Sequence, residues 1–386
     1  MLAGAPAQED DMNNRLCEMF GIEFPIFAFT HCRDVVAAVT KAGGLGVLGA
    51  AAHSPEQLDI DLRWIREQVG NKPFGVDVIV PAKYIGKDEG GISRSEMQAL
   101  IPAEHRAFLD DLLKRYDVPP LPDDLRSSSH DDAAPMTYDQ AVPLMDVAFS
   151  HDIALIVNAL GAPPPDMIER AHANGVKVGA LAGKASHAVR HVAAGVDVII
   201  AQGGEAGGHT GEIGTMVLVP EIVDAVAPVP VLAAGGIGRG RQMAASIALG
   251  AEGVWCGSVW LTTEEAETHP LVKQKFLQAT SSDTVRSRSR TGKPARQLRS
   301  AWTEEWEGPN SPGPLPMPLQ PILIGEASVR VDRAAKDMNS GAGKLANYFV
   351  GQIVGTMNEI KPAGRVVLEI VDEFIESVQR LENMMS

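Results

Sequence analysis

Short apolar runs that stop at glycine set the rhythm of this chain. Val198-Ile199-Ile200-Ala201-Gln202 has strand length and no polar alternation, the pattern of a strand buried on both faces. It empties into Gly203-Gly204-Glu205-Ala206-Gly207-Gly208-His209-Thr210-Gly211, where five glycines enclose one histidine. Residues without Cβ let a backbone approach a ligand closely and leave N–H groups free to donate. Two later runs, ending in Gly235-Gly236-Ile237-Gly238 and Gly257-Ser258, repeat the arrangement.

Between such runs lie Ala-rich helical stretches, each ending at a glycine before the next strand, as in Ala193-Ala194-Gly195-Val196 and Leu249-Gly250-Ala251. The pattern predicts strands at 25–29, 45–50, 74–80, 153–159, 177–182, 196–202, 229–234 and 253–257. Eight βα units in series favour an α/β fold of the (β/α)8 TIM barrel type over an open doubly wound sheet. Ser54-Pro55-Glu56 reads as a helix start, with Ser as N-cap and Pro in the first turn.

Two regions break the repeat. Residues 81–150, after the third strand, are too long for one crossover and predict an insertion of one or two helices plus a loop at 118–135, placed to act as a lid. In the C-terminal third, a helix is expected over 264–283, then a basic Ser/Arg stretch, a proline-rich segment at 310–321, and helices over 334–359 and 365–384 that fold over the barrel mouth. The expected division is a barrel at 17–263 and a mostly helical region at 264–386.

Composition narrows the functions. A net charge of −15 over 386 residues argues against nucleic acid or an anionic membrane as partner. No apolar run is long enough to span a bilayer, and the acidic N-terminus lacks a secretory pattern, so the expected location is cytoplasmic. Cys17, Cys32 and Cys256 are too few and scattered for a disulfide framework. The histidines are dispersed, so no metal site is expected.

Neither a GxGxxG fingerprint nor a P-loop is present. What remains is the phosphate cradle of barrels, after strands seven and eight, which Gly235, Gly236, Gly257 and Ser258 fit. His209 stands in a glycine loop at a strand's C-terminal end, where an imidazole is placed to exchange a proton across the mouth. His31 and Lys184 also follow strands, with a structural role at least as expected. Arg286-Ser287-Arg288-Ser289-Arg290 reads as a solvated turn, with binding of a ligand phosphate the minor alternative.

The segments Gln202 to Gly211, Ala233-Ala234-Gly235-Gly236-Ile237, Phe24-Pro25-Ile26 and Ala42-Gly43-Gly44-Leu45-Gly46 resemble the nitronate monooxygenase family, once called 2-nitropropane dioxygenases, over roughly residues 17 to 360. The superfamily also includes FMN-dependent enoyl reductases. The resemblance implies an FMN-binding barrel in which Ala28, Phe29 and Thr30 lie near the flavin ring, Asp77 and Gln202 meet its polar edge, Gly207 and Gly208 line the loop, and His209 is catalytic. The chain departs from the family at Ala28-Phe29-Thr30, where Ala-Pro-Met is usual, and at Asp77, where Asn is usual. An ionised Asp accepts hydrogen bonds only, so it would take the flavin imide N–H and donate nothing. The implied activity is oxidation of alkyl nitronates or nitroalkanes with O2. The alternatives are an NAD(P)H-dependent reductase of an enoyl thioester or quinone, and a flavin-free barrel that binds a phosphorylated ligand. A homodimer is left open.

Overall fold

The fold is described from a computed structural model, over residues 14–80, 94–122, 138–158 and 161–385. Its strands, in chain order, are β1 (Ile26–Thr30), β2 (Leu45–Gly49), β3 (Gly75–Val78), β4 (Leu155–Asn158), β5 (Lys177–Ala182), β6 (Val198–Gln202), β7 (Gly208–His209), β8 (Val231–Ala234), β9 (Gly253–Cys256), β10 (Thr284–Ser287) and β11 (Ala295–Leu298). All but β7, β10 and β11 pair in parallel and close on themselves, β9 returning to β1 with Phe27 opposite Trp255. Helices follow the strands on the outside, so the fold is the expected (β/α)8 barrel.

Strand alternation sorts the side chains into two packed layers. Phe27, Val47, Leu155, Ile200, Leu232 and Trp255 fill the interior. Ile26, Leu48, Val76, Ile199 and Val254 pack outward against the helices. The helix Arg15–Phe20 contributes Leu16, Cys17 and Phe20 to the interior cluster and stops the barrel's N-terminal end, with Phe20 edge-on to Phe27 at 5.3 Å. Asn14 caps that helix through its side chain.

The two interruptions share a second core. Leu109, Leu112 and Leu113, from the helix Ala103–Arg115 of the insertion, pack with Phe276, Leu298, Trp302, Trp306, Val331 and Leu345 of the C-terminal third. The insertion also contains helices at Arg94–Ala99 and Tyr138–Ser150. Most of the expected 118–135 loop lies outside the described residues.

Several C-terminal expectations need correction. The helix expected over 264–283 occupies Pro270–Gln278, because Pro270 takes the first helical position and sets the start. In place of a helix over 334–359 the chain has one at Leu319–Ala334, a single turn at Gly341–Leu345, and extended chain before the 3-10 turn Gln352–Thr356. The Ser/Arg stretch is not a solvated turn: part of it forms β10, antiparallel to β11, which in turn pairs with β7. The helix Ala363–Met385 does not lie over the mouth. It packs beside Gly240–Ala248 and Arg33–Lys41, and Val367, Ile370 and Val371 join the outer barrel core, so it completes the ring of helices after β9. Gly240 permits this contact, since a Cβ there would stand 2.2 Å from both Ile370 O and Phe374 N. Glu373 pins the same junction by accepting from Arg239 and Arg241. No helix among the described residues is long and apolar enough to cross a membrane.

Candidate active site

The C-terminal ends of the barrel strands bring several predicted residues to one mouth. On β1, Phe29 points inward and stacks on Trp255 at 6.0 Å, while Ala28 belongs to the outer layer and Thr30 Oγ1 accepts from the N–H of Cys32. Of the predicted trio, then, only Phe29 offers its side chain to the interior. Asp77 sits on β3 opposite Gly49, nearly fully buried, one residue out of phase with the outward-packed Val76 and Val78. Gln202 ends β6, half-buried, in phase with the inward Val198 and Ile200.

His31 follows β1. Its Nδ1 lies 2.8 Å from Gly49 O, and since a carbonyl only accepts, that nitrogen carries the proton. Gly49 makes this possible, because a Cβ there would stand 2.7 Å from the imidazole. The ring is solvent-exposed yet densely surrounded, as in a recess, and burial pushes its pKa below the usual imidazole range. Lys184 caps the helix Ala185–Ala194 from outside the strand and makes no side-chain cap bond.

The glycine loop after β6 is held from several sides. Gly203 N donates to Ala234 O, and Gly204 N to Ile213 O. Arg296 donates twice to Gly204 O, from Nε at 3.0 Å and Nη2 at 2.8 Å, and Arg286 donates to Thr210 O at 3.2 Å. The Glu205 carboxylate receives the N–H and hydroxyl of Thr215 at the start of the helix Thr215–Val226, where a negative charge meets the positive helix end. Gly207 crosses the 350–351 backbone so closely that a Cβ would lie 2.8 Å from Gly351 N. Its glycine is therefore required by the chain crossing itself. Gly208 takes a φ of 75° and pairs with Arg296 across β7 and β11.

His209, opposite Ala295 in that ladder, directs Nδ1 toward Pro294 O at a long 3.4 Å and sets its ring 6.5 Å from that of Phe349. Donation to a carbonyl fixes the proton on Nδ1 and leaves the Nε2 lone pair available. Burial pushes the pKa down, the Pro294 carbonyl opposes this, and nearby Lys293 adds to it. The imidazole is therefore held in its neutral form near pH 7.

Beside the loop lie the ends of β8 and β9. Gly235 and Gly236 both adopt positive φ, 106° and 68°. Among the described residues, no backbone carbonyl receives the N–H of Gly236, Gly257 or Ser258. Ser258 Oγ accepts from Gly351 N at 2.8 Å, and a Cβ on Gly257 would meet only Phe29 Cδ1, at 3.8 Å. These free donors, on neighbouring strand ends, have the chemistry of an oxyanion cradle. Cys256 beneath them is inert, its thiol pushed up to about 12 by burial.

Sequence reasoning missed the arginines that hold the loop, and it missed β7, β10 and β11. The only sequence signal was the Ser/Arg run itself, read as solvated because nothing in its spacing shows what faces it. Two surface clefts, one at Arg15, Pro228 and Glu252 and one at Tyr116, Glu305 and Asn310, lie away from the mouth and contain none of the predicted residues.

The sequence pattern of the nitronate monooxygenase family matches residues 13–373. A Mycobacterium tuberculosis protein named "Putative monooxygenase Rv1533" is 61% identical over 97% of this chain and 99% of its own length. A "Probable nitronate monooxygenase" of Staphylococcus aureus is 30% identical over 90% of this chain and 98% of its own. Among solved structures, nitroalkane oxidase from Streptomyces ansochromogenes superposes with a TM-score of 0.76 at 28% identity, covering 95% of this chain and 99% of that one. FabK from Thermotoga maritima gives 0.69 at 29% identity, covering 96% and 99%. With a closed barrel, a glycine-loop histidine at its mouth and a family match across nearly the whole chain, this protein belongs to the nitronate monooxygenase family of oxidoreductases.

Proposed function

We propose that the protein is an FMN-dependent enzyme that oxidises alkyl nitronates or nitroalkanes with O2. The observation that carries the reading is His209, a neutral imidazole with its Nε2 lone pair free, presented from the barrel mouth beside a set of unused backbone donors. The residues fit a flavin mononucleotide: the N–H groups of Gly236, Gly257 and Ser258 would take the phosphate, with Gly235 shaping the turn. Phe29, Asp77, Gln202 and the Gly207-Gly208 loop would border the ring, Ala28 and Thr30 through their backbone. When bound, the flavin supplies the redox chemistry, and the protein supplies binding, orientation and electrostatics.

The chain's own part is proton handling and placement. His209 Nε2 would remove the proton from the carbon that bears a neutral nitro group, or orient a substrate that is already an anion. Phe29 and Trp255, stacked at the mouth, keep water from one side of the site. An ionised Asp77 would accept from the imide N–H of the ring. A reductase fed by NAD(P)H is the second reading, favoured by the likeness to FabK at nearly full coverage.

Anaerobic mixing separates the two. The nitronate of 2-nitropropane is expected to bleach the bound flavin without oxygen, while NADH and NADPH leave it oxidised; bleaching by a pyridine nucleotide alone would overturn the oxidase reading. The cofactor assignment has its own test in Gly257→Val. A Cβ there would meet only Phe29 Cδ1, at 3.8 Å, with no backbone clash, so the variant is expected to keep its circular dichroism and purify colourless. Full flavin occupancy would remove the cradle assignment.

A further inference from the structure

Of the three arginines in the run, Arg286 alone reaches the glycine loop; Arg288 donates to Gly292 O, and Arg290 turns elsewhere. Arg290 donates from Nε and Nη2 to Asn347 Oδ1, at 2.9 Å and 2.7 Å, and from Nη2 to Asn347 O. Asn347 is itself tied to β11, donating to Gln297 Oε1 and Leu298 O. The guanidinium stands 5.8 Å from the ring of Tyr348 and 5.7 Å from that of Phe349. Its third nitrogen, Nη1, has no hydrogen-bond partner among the described residues, and no carboxylate there lies within ion-pair distance. Asp332 is felt only through space, and burial holds its carboxyl above the usual range.

Arg290 is only half-buried and its Nη1 is not sealed off, so this free donor stands within reach of a ligand's anionic group. The arrangement also says where that group would sit. Phe349 lies one ring contact from His209 and one from Arg290, on the edge of β11 that carries β7. A guanidinium with two donors fixed and one free is oriented for an oxyanion.

We propose that Arg290 is an oxyanion subsite: it binds a second anionic group, carboxylate or phosphate, on a ligand whose reacting end lies beside His209. It would make the protein selective for substrates charged at the end remote from the reacting carbon. The proposal rests on the assignment of His209 to the reacting end, and it goes beyond that assignment by naming what the far end must carry. Two sources share this chemistry: the carboxylate of a small nitro acid and a phosphate of a pyridine nucleotide.

The test compares the holoenzyme with Arg290→Gln and Arg290→Lys. Turnover is measured with the nitronates of 3-nitropropionate, which carries a carboxylate, and of 2-nitropropane, which does not. Loss of a charge-assisted hydrogen bond corresponds to about a tenfold change or more. The kcat/KM ratio of the carboxylate-bearing to the uncharged substrate is expected to fall by that factor in Arg290→Gln, through KM, and to recover in part in Arg290→Lys. If the NADPH-to-NADH ratio of flavin reduction falls instead, the subsite stands with phosphate as its source. Equal losses for both members of each pair mean a structural role and overturn the proposal.

Calorimetric titration with 3-nitropropionate, which needs no turnover, separates failure of the subsite from failure of the oxidase reading. Binding weakened tenfold in Arg290→Gln supports the subsite even if no nitronate is oxidised. If the nucleotide ratio is also unmoved, equal affinity in the wild type and the variant overturns it.

Discussion

His209 is the residue on which the proposed chemistry turns, and its setting makes a definite prediction about pH. Burial favours the neutral imidazole, so protonation requires a more acidic solution than for a free histidine. Turnover of a neutral nitroalkane is expected to hold level near pH 7 and fall on acidification, with its apparent pKa below the ordinary 6.5. His209→Asn should remove that limb and lower kcat with the neutral substrate by about 10²- to 10⁴-fold, a typical general-base contribution. A pH–rate profile left unchanged by the His209→Asn substitution would return the histidine to a structural role. This residue was readable in the sequence because five glycines around a histidine have few other uses. Arg290 and Arg296 were not readable. Charged residues are usually solvated, and only the return of β11 alongside β7 brings Arg296 to the loop, while Arg290 is held by Asn347 from far along the chain.

Among the elements, the barrel strands were legible and the small sheet was not, for one physical reason. Each barrel strand is buried on both faces and therefore writes an unbroken apolar run. β7 has two residues, and β10 and β11 carry Arg286 and Arg296, so their order comes from tertiary contacts. The helix Leu319–Ala334 was hidden by prolines, because Pro321 lies in its first turn, where a missing N–H costs nothing. The sheet's purpose is testable through Arg296, which joins Gly204 O to Thr284 Oγ1. Arg296→Met is expected to speed amide hydrogen exchange across 203–211 and to lower kcat/KM by about tenfold or more, since small misplacements of a catalytic group cost that much. Arg296→Lys keeps the charge but not the paired geometry, and should recover only part. Unaltered exchange in the loop would sink the idea that Arg296 holds it.

For the whole molecule, the eightfold repeat predicted the barrel, but sequence order misled about what lies where. Residues 94–122 and 270–357 are far apart in the chain, yet Leu112 and Trp306 belong to one core. Conversely, the helix Ala363–Met385 looks like an appendage in sequence and is a structural member of the ring. That placement bears on biosynthesis. The helix at Arg33–Lys41 is made early, and its neighbour on one side is translated after every other described element. Until that neighbour emerges from the ribosome, the outward surface of β1 and β9 around Ile26 and Val254 has no complete cover. The nascent chain therefore carries an open apolar seam through most of its synthesis, a natural landing place for chaperones.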